Sequence, residues 1–229
     1  MLIYVLIEGI IFYYKFQHVP VLKIPEHPDQ TLGTGYDLRY IAAGDSTAVG
    51  YGATNSSTTY TNLIVEDLAK NKKVYYRNVA VIGDQTDDLI RTQLQQIIDF
   101  KPDIVTISIG ANDVTHLKSS KKILLNIKMI IDSILQKTAA TIYVTDIPDF
   151  SWAQILPKPY RILLEYKDRS LNEHIKQLES DRVKIVDIHD FGWSKFPDQG
   201  VTNAADNFHP NDLGYENWAS AFLNRINDK

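Results

Sequence analysis

The stretch Tyr40-Ile41-Ala42-Ala43-Gly44-Asp45-Ser46-Thr47-Ala48-Val49-Gly50 decides the fold of this chain. Residues 40–43 are apolar and run directly into Gly-Asp-Ser, and small or turn-forming residues follow. A short apolar run that ends at a glycine is typical of a buried strand that stops abruptly. A serine just past such a strand lies at the carboxyl edge of the sheet, where open α/β folds bind their ligands. Ser46 is therefore the candidate nucleophile.

Outward from this stretch, short apolar runs alternate with longer amphipathic segments. The short runs are predicted strands, at residues 38–43, 74–80, 104–109, 141–145 and 183–187. The longer segments carry apolar residues at helical spacing and are predicted helices, at residues 58–70, 86–100, 120–136, 160–179 and 213–226. Strands that alternate with helices of this length predict right-handed crossovers and a parallel sheet with helices on both faces.

Composition excludes several classes of protein. The chain has 229 residues, of which 44% are hydrophobic and 23% charged, as expected for one globular α/β domain with a core. The formal net charge of -4 provides no basic surface, so nucleic acid is not an expected partner. The chain contains no cysteine, which excludes disulfides, thiolate metal sites and a cysteine nucleophile but does not fix the compartment.

The amino-terminal part of the chain differs from the rest. Residues 1–16 are apolar and aromatic, but a membrane-spanning helix needs about 20 such residues, and the basic start of a signal peptide is missing. The segment favours association with a membrane, and a helix packed on the domain or on a partner is the alternative. Residues 17–36 carry prolines and glycines among polar residues and are predicted to be a linker to a domain at 37–229.

Two further loops follow predicted strands and carry groups that could stabilise negative charge. Gly83 follows the second strand, and a glycine there lets a backbone N–H approach a ligand closely. Asn112, within Gly110-Ala111-Asn112-Asp113, follows the third strand, and its side-chain amide can donate a hydrogen bond to a developing oxyanion. Each motif taken alone also fits an ordinary turn.

The loop before the last helix presents a histidine beside an aspartate. Pro210 disfavours helical geometry for His209, so the imidazole is expected on a loop. Asp206 lies three residues earlier and can hold one ring nitrogen, which fixes the tautomer of a general base. His116 follows the third loop and is the reserve candidate for the base, although a structural role suits it better.

These four blocks resemble the SGNH hydrolases, also called the GDSL family of esterases and lipases. The matching residues are Gly44-Asp45-Ser46, Gly83, Gly110-Ala111-Asn112-Asp113, and Asp206 with His209-Pro210. The resemblance spans residues 38 to the carboxyl terminus, and its third and fourth blocks are the most specific. Thr47 stands where the family usually has leucine and Ala80 where glycine is frequent, both at tolerated positions.

The resemblance implies a fold and a reaction. The fold is three-layer α/β/α, flavodoxin-like, with a parallel sheet of about five strands. The reaction is hydrolysis of carboxylic esters without a metal, through a Ser46, His209 and Asp206 triad and an acyl-enzyme. The oxyanion would be held by the backbone N–H groups of Ser46 and Gly83 and by the side chain of Asn112. Asp45 and Asp113 are interpreted as bracing residues.

Aromatic segments near the same edge predict the substrate region. Phe150 and Trp152 follow the fourth strand, and Trp193 follows the fifth. They could line a groove for an acyl chain or could simply pack the loops onto the core. The substrate is expected to be a small-molecule or lipid ester, such as a lysophospholipid, with a sugar O-acetyl ester as the alternative.

A different class of function is a non-catalytic binding domain with the same fold. The presence of serine, histidine and aspartate together argues against it, since a binder does not need that combination. No phosphate-binding loop and no metal-ligand spacing occurs in the sequence, so neither a cofactor nor a metal is expected.

Overall fold

A six-stranded sheet forms the centre of the computed structural model, which describes residues 2–191 and 201–228. The strands are β1 (Gln30–Leu32), β2 (Tyr36–Gly44), β3 (Lys72–Asn78), β4 (Ile104–Ser108), β5 (Thr141–Thr145) and β6 (Val183–Val186). They lie in the order β1-β3-β2-β4-β5-β6. Strands β2 to β6 are parallel to one another, and β1 pairs with β3 in the antiparallel direction.

The order of the parallel strands identifies the fold. Counted along the chain, they lie second, first, third, fourth and fifth across the sheet, which is the flavodoxin-like order. The predicted three-layer α/β/α fold with about five parallel strands is therefore confirmed. The strand order reverses at β2, and in such sheets ligands bind at the carboxyl ends of the strands beside that reversal.

Helices cover both faces of the sheet. The helices of the described residues are α1 (Leu2–Gln17), α2 (Ser46–Val49), α3 (Tyr60–Leu68), α4 (Thr86–Thr92), α5 (Leu94–Phe100), α6 (Ala111–Thr115), α7 (Ser120–Lys137), α8 (Lys158–Lys176) and α9 (Asp212–Asn227). Ile41 of β2 packs in a core with α4, α5, α7 and α8, whereas its neighbour Tyr40 packs on the other face with α3 and α9. This alternation is what a strand buried on both faces requires.

The predicted helix over residues 86–100 is divided at Gln93. The side chain of Gln93 is fully buried. Its Oε1 atom accepts the N–H of Gly44 at 2.9 Å, and its Nε2 atom donates to the carbonyl of Gly44 at 2.8 Å. Its amide also donates to Asp84 at 2.8 Å. A buried amide without partners would be costly, so these bonds hold Gln93 at the end of β2, where the helix is interrupted.

The amino-terminal part lies against the domain. Residues 30–32, which the sequence analysis places in the linker, form β1, a strand too short and polar to recognise without its partner β3. His27 Nε2 contacts the Val49 carbonyl at 2.6 Å. Lys15 Nζ in α1 lies 3.4 Å from the carbonyl oxygen of Gln154.

Within the described residues, α1 and every other helix lack the combination of length and apolar character needed to cross a membrane. The boundaries at 16 and 36 stay predictions.

Gly44 is the one position in β2 where only glycine fits. Its φ is 138°, and a Cβ atom there would lie 1.9 Å from the Ser108 carbonyl oxygen. The same carbonyl accepts the N–H of Asp45 at 3.0 Å. The close approach of β2 to β4 therefore sets the turn that leads into Ser46.

The Gly44→Ala substitution tests this constraint. We expect the free energy of unfolding to fall by more than about 3 kcal/mol, because strain at the positive φ adds to the clash with Ser108. Urea unfolding followed by circular dichroism measures it. Gly9→Ala in α1 is the control, since a Cβ there meets no atom within 4 Å. An unchanged unfolding midpoint for Gly44→Ala would contradict the constraint.

Candidate active site

Ser46 lies at the carboxyl end of β2, where the turn at Gly44 ends. It is the first residue of α2, a helix of four residues whose N-cap is Asp45. The Asp45 carboxylate accepts the N–H of Thr47 at 3.0 Å, which fixes the start of the helix. The Ser46 residue is only 7% exposed, so its hydroxyl is held in a largely dry position.

The structure brings Ser46, His209 and Asp206 together. Ser46 Oγ lies 2.9 Å from His209 Nε2, although the two residues are 163 positions apart. His209 Nδ1 lies 2.6 Å from Asp206 Oδ2. The three groups thus form one continuous line of hydrogen bonds, with the imidazole in the middle. This is the arrangement in which a histidine can take a proton from a hydroxyl while a carboxylate holds its other nitrogen.

The loop that carries His209 is folded by its own aspartate. Asp206 Oδ1 accepts the backbone N–H groups of Phe208 and His209, both at 3.0 Å. Burial alone would raise the pKa of Asp206, but the hydrogen bonds from the His209 ring and from these amides outweigh it, so that the pKa lies below its ordinary value. The carboxylate therefore stays ionised, as an orienting partner of the imidazole must be.

Two aromatic rings fix the plane of the imidazole. Tyr51 and Phe208 meet the His209 ring edge-on, with centroids at 4.8 Å and 5.0 Å. The Tyr51 hydroxyl accepts the N–H of Leu22 at 3.2 Å, and its carbonyl accepts the hydroxyl of Tyr215 at 2.9 Å. The sequence analysis did not find Tyr51, because no local pattern indicates a contact between residues 51 and 209.

The predicted oxyanion donors lie on neighbouring loops. Among the described residues, the backbone N–H groups of Ser46 and Gly83 donate to no protein acceptor. Gly83 has a φ of 83°, and no atom lies within 4 Å of the position where a Cβ would be. Asn112 Nδ2 donates to the Asp84 carbonyl at 3.0 Å, which uses one of its two amide hydrogens. One further donor of Asn112 is thus left for a ligand.

Asp113 and Asp45 brace these loops. Asp113 is fully buried and accepts the N–H (2.8 Å) and the hydroxyl (2.7 Å) of Thr86, and Lys118 approaches it at 2.7 Å. It therefore joins the loop of Asn112 to the start of α4. Burial raises the pKa of Asp45 to about 6, and its Oδ2 atom has no hydrogen-bond partner among the described residues.

The reserve candidate His116 is not brought to the serine. It is exposed, and its Nδ1 atom contacts the carbonyl of Asn112 at 2.7 Å, one turn back along the same helix end. The imidazole that lies within hydrogen-bond distance of Ser46 Oγ is that of His209. His116 therefore has a local structural contact, in agreement with the interpretation that favoured such a role.

A cavity opens beside the His209 ring. Its lining is mainly apolar and aromatic, with Phe150, Trp152, Ile188, Phe191, Phe208 and Trp218 among its residues. About 830 Å³ of space lies within it, part of it open to solvent. Phe150 and Trp152, two of the three candidate substrate-lining residues, line this cavity, and Phe150 also packs in the core. The third candidate, Trp193, lies outside the described residues. The sequence analysis missed two lining residues: Phe208, which directly precedes His209, and Trp218, which lies within the predicted helix at 213–226.

The sequence of this chain matches a known family over most of its length. The sequence profile of the GDSL-like Lipase/Acylhydrolase family matches residues 42–216. A GDSL-like esterase from Mycobacterium tuberculosis is 28% identical over 133 residues, which is 56% of this chain and 41% of that esterase. The match thus spans about two fifths of the length of that curated relative.

Two solved structures show how closely the fold of this chain resembles that of known proteins. An acetylxylan esterase from Geobacillus stearothermophilus, solved as a catalytic mutant, superposes with a TM-score of 0.66 at 18% identity and covers 86% of this chain and 98% of its own. A lipase from a goat rumen metagenome gives a TM-score of 0.64 at 22% identity, covering 82% of this chain and 97% of its own. At these identities the likeness concerns the fold.

Proposed function

We propose that this chain, which belongs to the GDSL-like lipase/acylhydrolase family of carboxylic ester hydrolases, cleaves acyl esters with Ser46 as nucleophile, His209 as base and Asp206 as the orienting carboxylate. The observation that carries the proposal is the distance of 2.9 Å between Ser46 Oγ and His209 Nε2. A serine hydroxyl is a poor nucleophile until a base at this distance takes its proton.

The reaction follows from the order of the three groups. His209 Nε2 accepts the proton as Ser46 Oγ attacks the carbonyl carbon, and Asp206 stabilises the imidazolium through Nδ1–H. His209 then protonates the leaving alcohol, which leaves an acyl group on Ser46. Water, deprotonated by the same histidine, releases the acid and restores the hydroxyl.

Three donors would hold the oxyanion of the tetrahedral intermediate. These are the backbone N–H groups of Ser46 and Gly83 and the second amide hydrogen of Asn112. The hydrogen bond from Asn112 to the Asp84 carbonyl supports this role, because it fixes the amide beside the loop of Gly83 before any substrate arrives. Donors held in advance need no reorganisation during the reaction.

The cavity favours an ester with an apolar acyl chain, such as a short lipid ester or a lysophospholipid. Phe208, whose ring contacts His209, lines it together with Phe150, Trp152 and Trp218. Burial of an alkyl chain against these rings would contribute to binding in proportion to the area removed from water. The fold is shared with an acetylxylan esterase, so a carbohydrate O-acetyl ester is the second candidate.

Covalent labelling tests the nucleophile. Ser46→Ala should show no labelling by a fluorophosphonate, detected by mass spectrometry of the intact protein, because the reagent reacts only with an activated serine. Asn112→Ala is the matched variant. It should still label, but with turnover lower by about 100- to 1000-fold, because one oxyanion donor is lost while the nucleophile remains. Undiminished labelling of Ser46→Ala would exclude this serine as the nucleophile, and full turnover of Asn112→Ala would exclude the oxyanion role.

A series of nitrophenyl esters from acetate to decanoate tests the acyl chain. We expect kcat/KM to rise with length, by up to about fourfold for each CH₂ buried, to a maximum at eight or more carbons. Trp152→Ala should reduce the rate for octanoate but spare acetate. Tyr166→Ala is the control, because this ring on α8 is 81% exposed and does not line the cavity. A maximum at acetate would favour the sugar ester, and an absence of both hydrolysis and labelling would favour the non-catalytic binder.

We further propose that α1 rests on a lipid surface. Tyr4, Ile7, Ile11 and Tyr14 follow helical spacing and are each exposed by more than two fifths, and Ile10 is 69% exposed. An exposed apolar helix of this kind gains free energy by lying in the interface of a bilayer. Its contact with Gln154 through Lys15 would bring the cavity close to that surface.

Sedimentation with phosphatidylcholine vesicles tests this association. Wild-type protein should sediment with the vesicles, and the double variant Ile7→Glu, Ile10→Glu should not, because each charge opposes burial in the interface. Leu125→Glu is the control, since Leu125 is 54% exposed on α7. Equal sedimentation of all three proteins, or of none, would contradict a role for α1.

A further inference from the structure

A second group of titratable side chains lies beside the cavity and takes no part in the proposed reaction. Asp149 comes from the loop after β5, Asp168 from α8 and His189 from the segment after β6. One carboxylate oxygen from each aspartate and a ring nitrogen of His189 all lie within 4.8 Å of one another. Three separate elements thus direct ligand atoms to one point.

Asp168 is a fully buried carboxylate that receives no hydrogen bond from the described part of the chain. The nearest cationic partner is the Nε2 atom of His189, at 3.6 Å, which is too long for a hydrogen bond. A buried carboxylate without donors is strongly unfavourable, so Asp168 requires positive charge beside it, and this charge can come from the protonated His189 ring or from a bound metal ion that takes the place of that proton.

His189 is oriented as metal-binding histidines are. Its Nδ1 atom lies 2.9 Å from Asp190 Oδ1, while its Nε2 atom faces Asp168 and has no hydrogen-bond partner among the described residues. A histidine that binds a metal commonly donates its other ring N–H to a carboxylate, which leaves the lone pair of the first nitrogen directed at the ion. Asp190 is placed to be that carboxylate.

We propose that Asp149, Asp168 and His189 bind a divalent transition-metal ion. The ligand set of two carboxylates and one imidazole suits Zn²⁺ or Mn²⁺, whereas Ca²⁺ and Mg²⁺ prefer oxygen ligands throughout. The distance of 3.6 Å between His189 Nε2 and Asp168 Oδ1 is close to the edge of a tetrahedron with bonds of about 2.1 Å. Asp149 already accepts the N–H and the hydroxyl of Ser151, both at 2.7 Å, so it would bind the ion through a second lone pair of a carboxylate oxygen.

The ion would join the walls of the cavity. Asp149 caps the turn Phe150–Trp152, whose end residues line the cavity, and His189 lines it directly. Asp168 lies behind them on α8. The ion would therefore fix the shape of the acyl region while Ser46 and His209 keep the chemistry, so the site is independent of the proposed reaction.

Metal titration of the full, tag-free chain tests the site. After removal of metals with a chelator, isothermal titration calorimetry should detect about one Zn²⁺ or Mn²⁺ per chain. At a hundredfold excess over Kd, the midpoint of thermal unfolding should rise by about 5 to 10 °C. Labelling at Ser46 should persist without metal, which separates this test from that of the proposed function.

Variants distinguish the site from surface binding. Asp168→Asn and His189→Gln should each abolish the stoichiometric binding and the thermal shift. Asp190→Asn should weaken binding by about 10- to 100-fold, since it removes only the group that orients His189. His174→Gln, an exposed histidine on α8, is the control and should bind as wild type does.

Three results would overturn the proposal. They are no stoichiometric binding to the wild type, equal binding by Asp168→Asn and His189→Gln, or the same thermal shift with Ca²⁺ as with Zn²⁺ and Mn²⁺. If Asp168→Asn does not fold, His189→Gln and Asp190→Asn still decide the outcome, because Asp190 is largely exposed.

Discussion

The site depends on the pairing of β2 with β4, which ends at the register pair Gly44 and Ser108. The two strands end at the same level because their backbones meet without a side chain between them. Ser46 follows one strand end by two residues, and Gly110, which opens the loop of Asn112, follows the other by two. A shift of this register would separate Ser46 from Asn112.

Buried polar side chains then hold the loops in place. Gln93 joins the end of β2 to Asp84, and Asp113 joins the loop of Asn112 to Thr86. Asp206 folds the loop of His209 around its own carboxylate. Each of these groups is paired with backbone or side-chain donors, so the low dielectric of the interior strengthens the bonds. The site is thus prepared by hydrogen bonds made entirely within the protein.

Much of the fold and of the site could be predicted from local sequence patterns. The parallel strands are continuous apolar runs, and the residues at their ends gather at one edge because the topology requires it. Strand β1 could not be predicted, because Gln30-Thr31-Leu32 becomes a strand only through pairing with β3. The division at Gln93 and the ring of Tyr51 on His209 depend on contacts between distant residues. The cluster of Asp149, Asp168 and His189 likewise has no regular spacing in the sequence.

Strand β1 also has a consequence for how the molecule behaves among its own copies. The outer side of a sheet exposes a row of backbone donors and acceptors onto which a second chain can add. β1 pairs in the antiparallel direction with residues 74–76 of β3, so this edge of the sheet ends in a strand of only three residues. A strand this short is a poor template for the addition of a second chain, so β1 disfavours aggregation through this edge of the sheet.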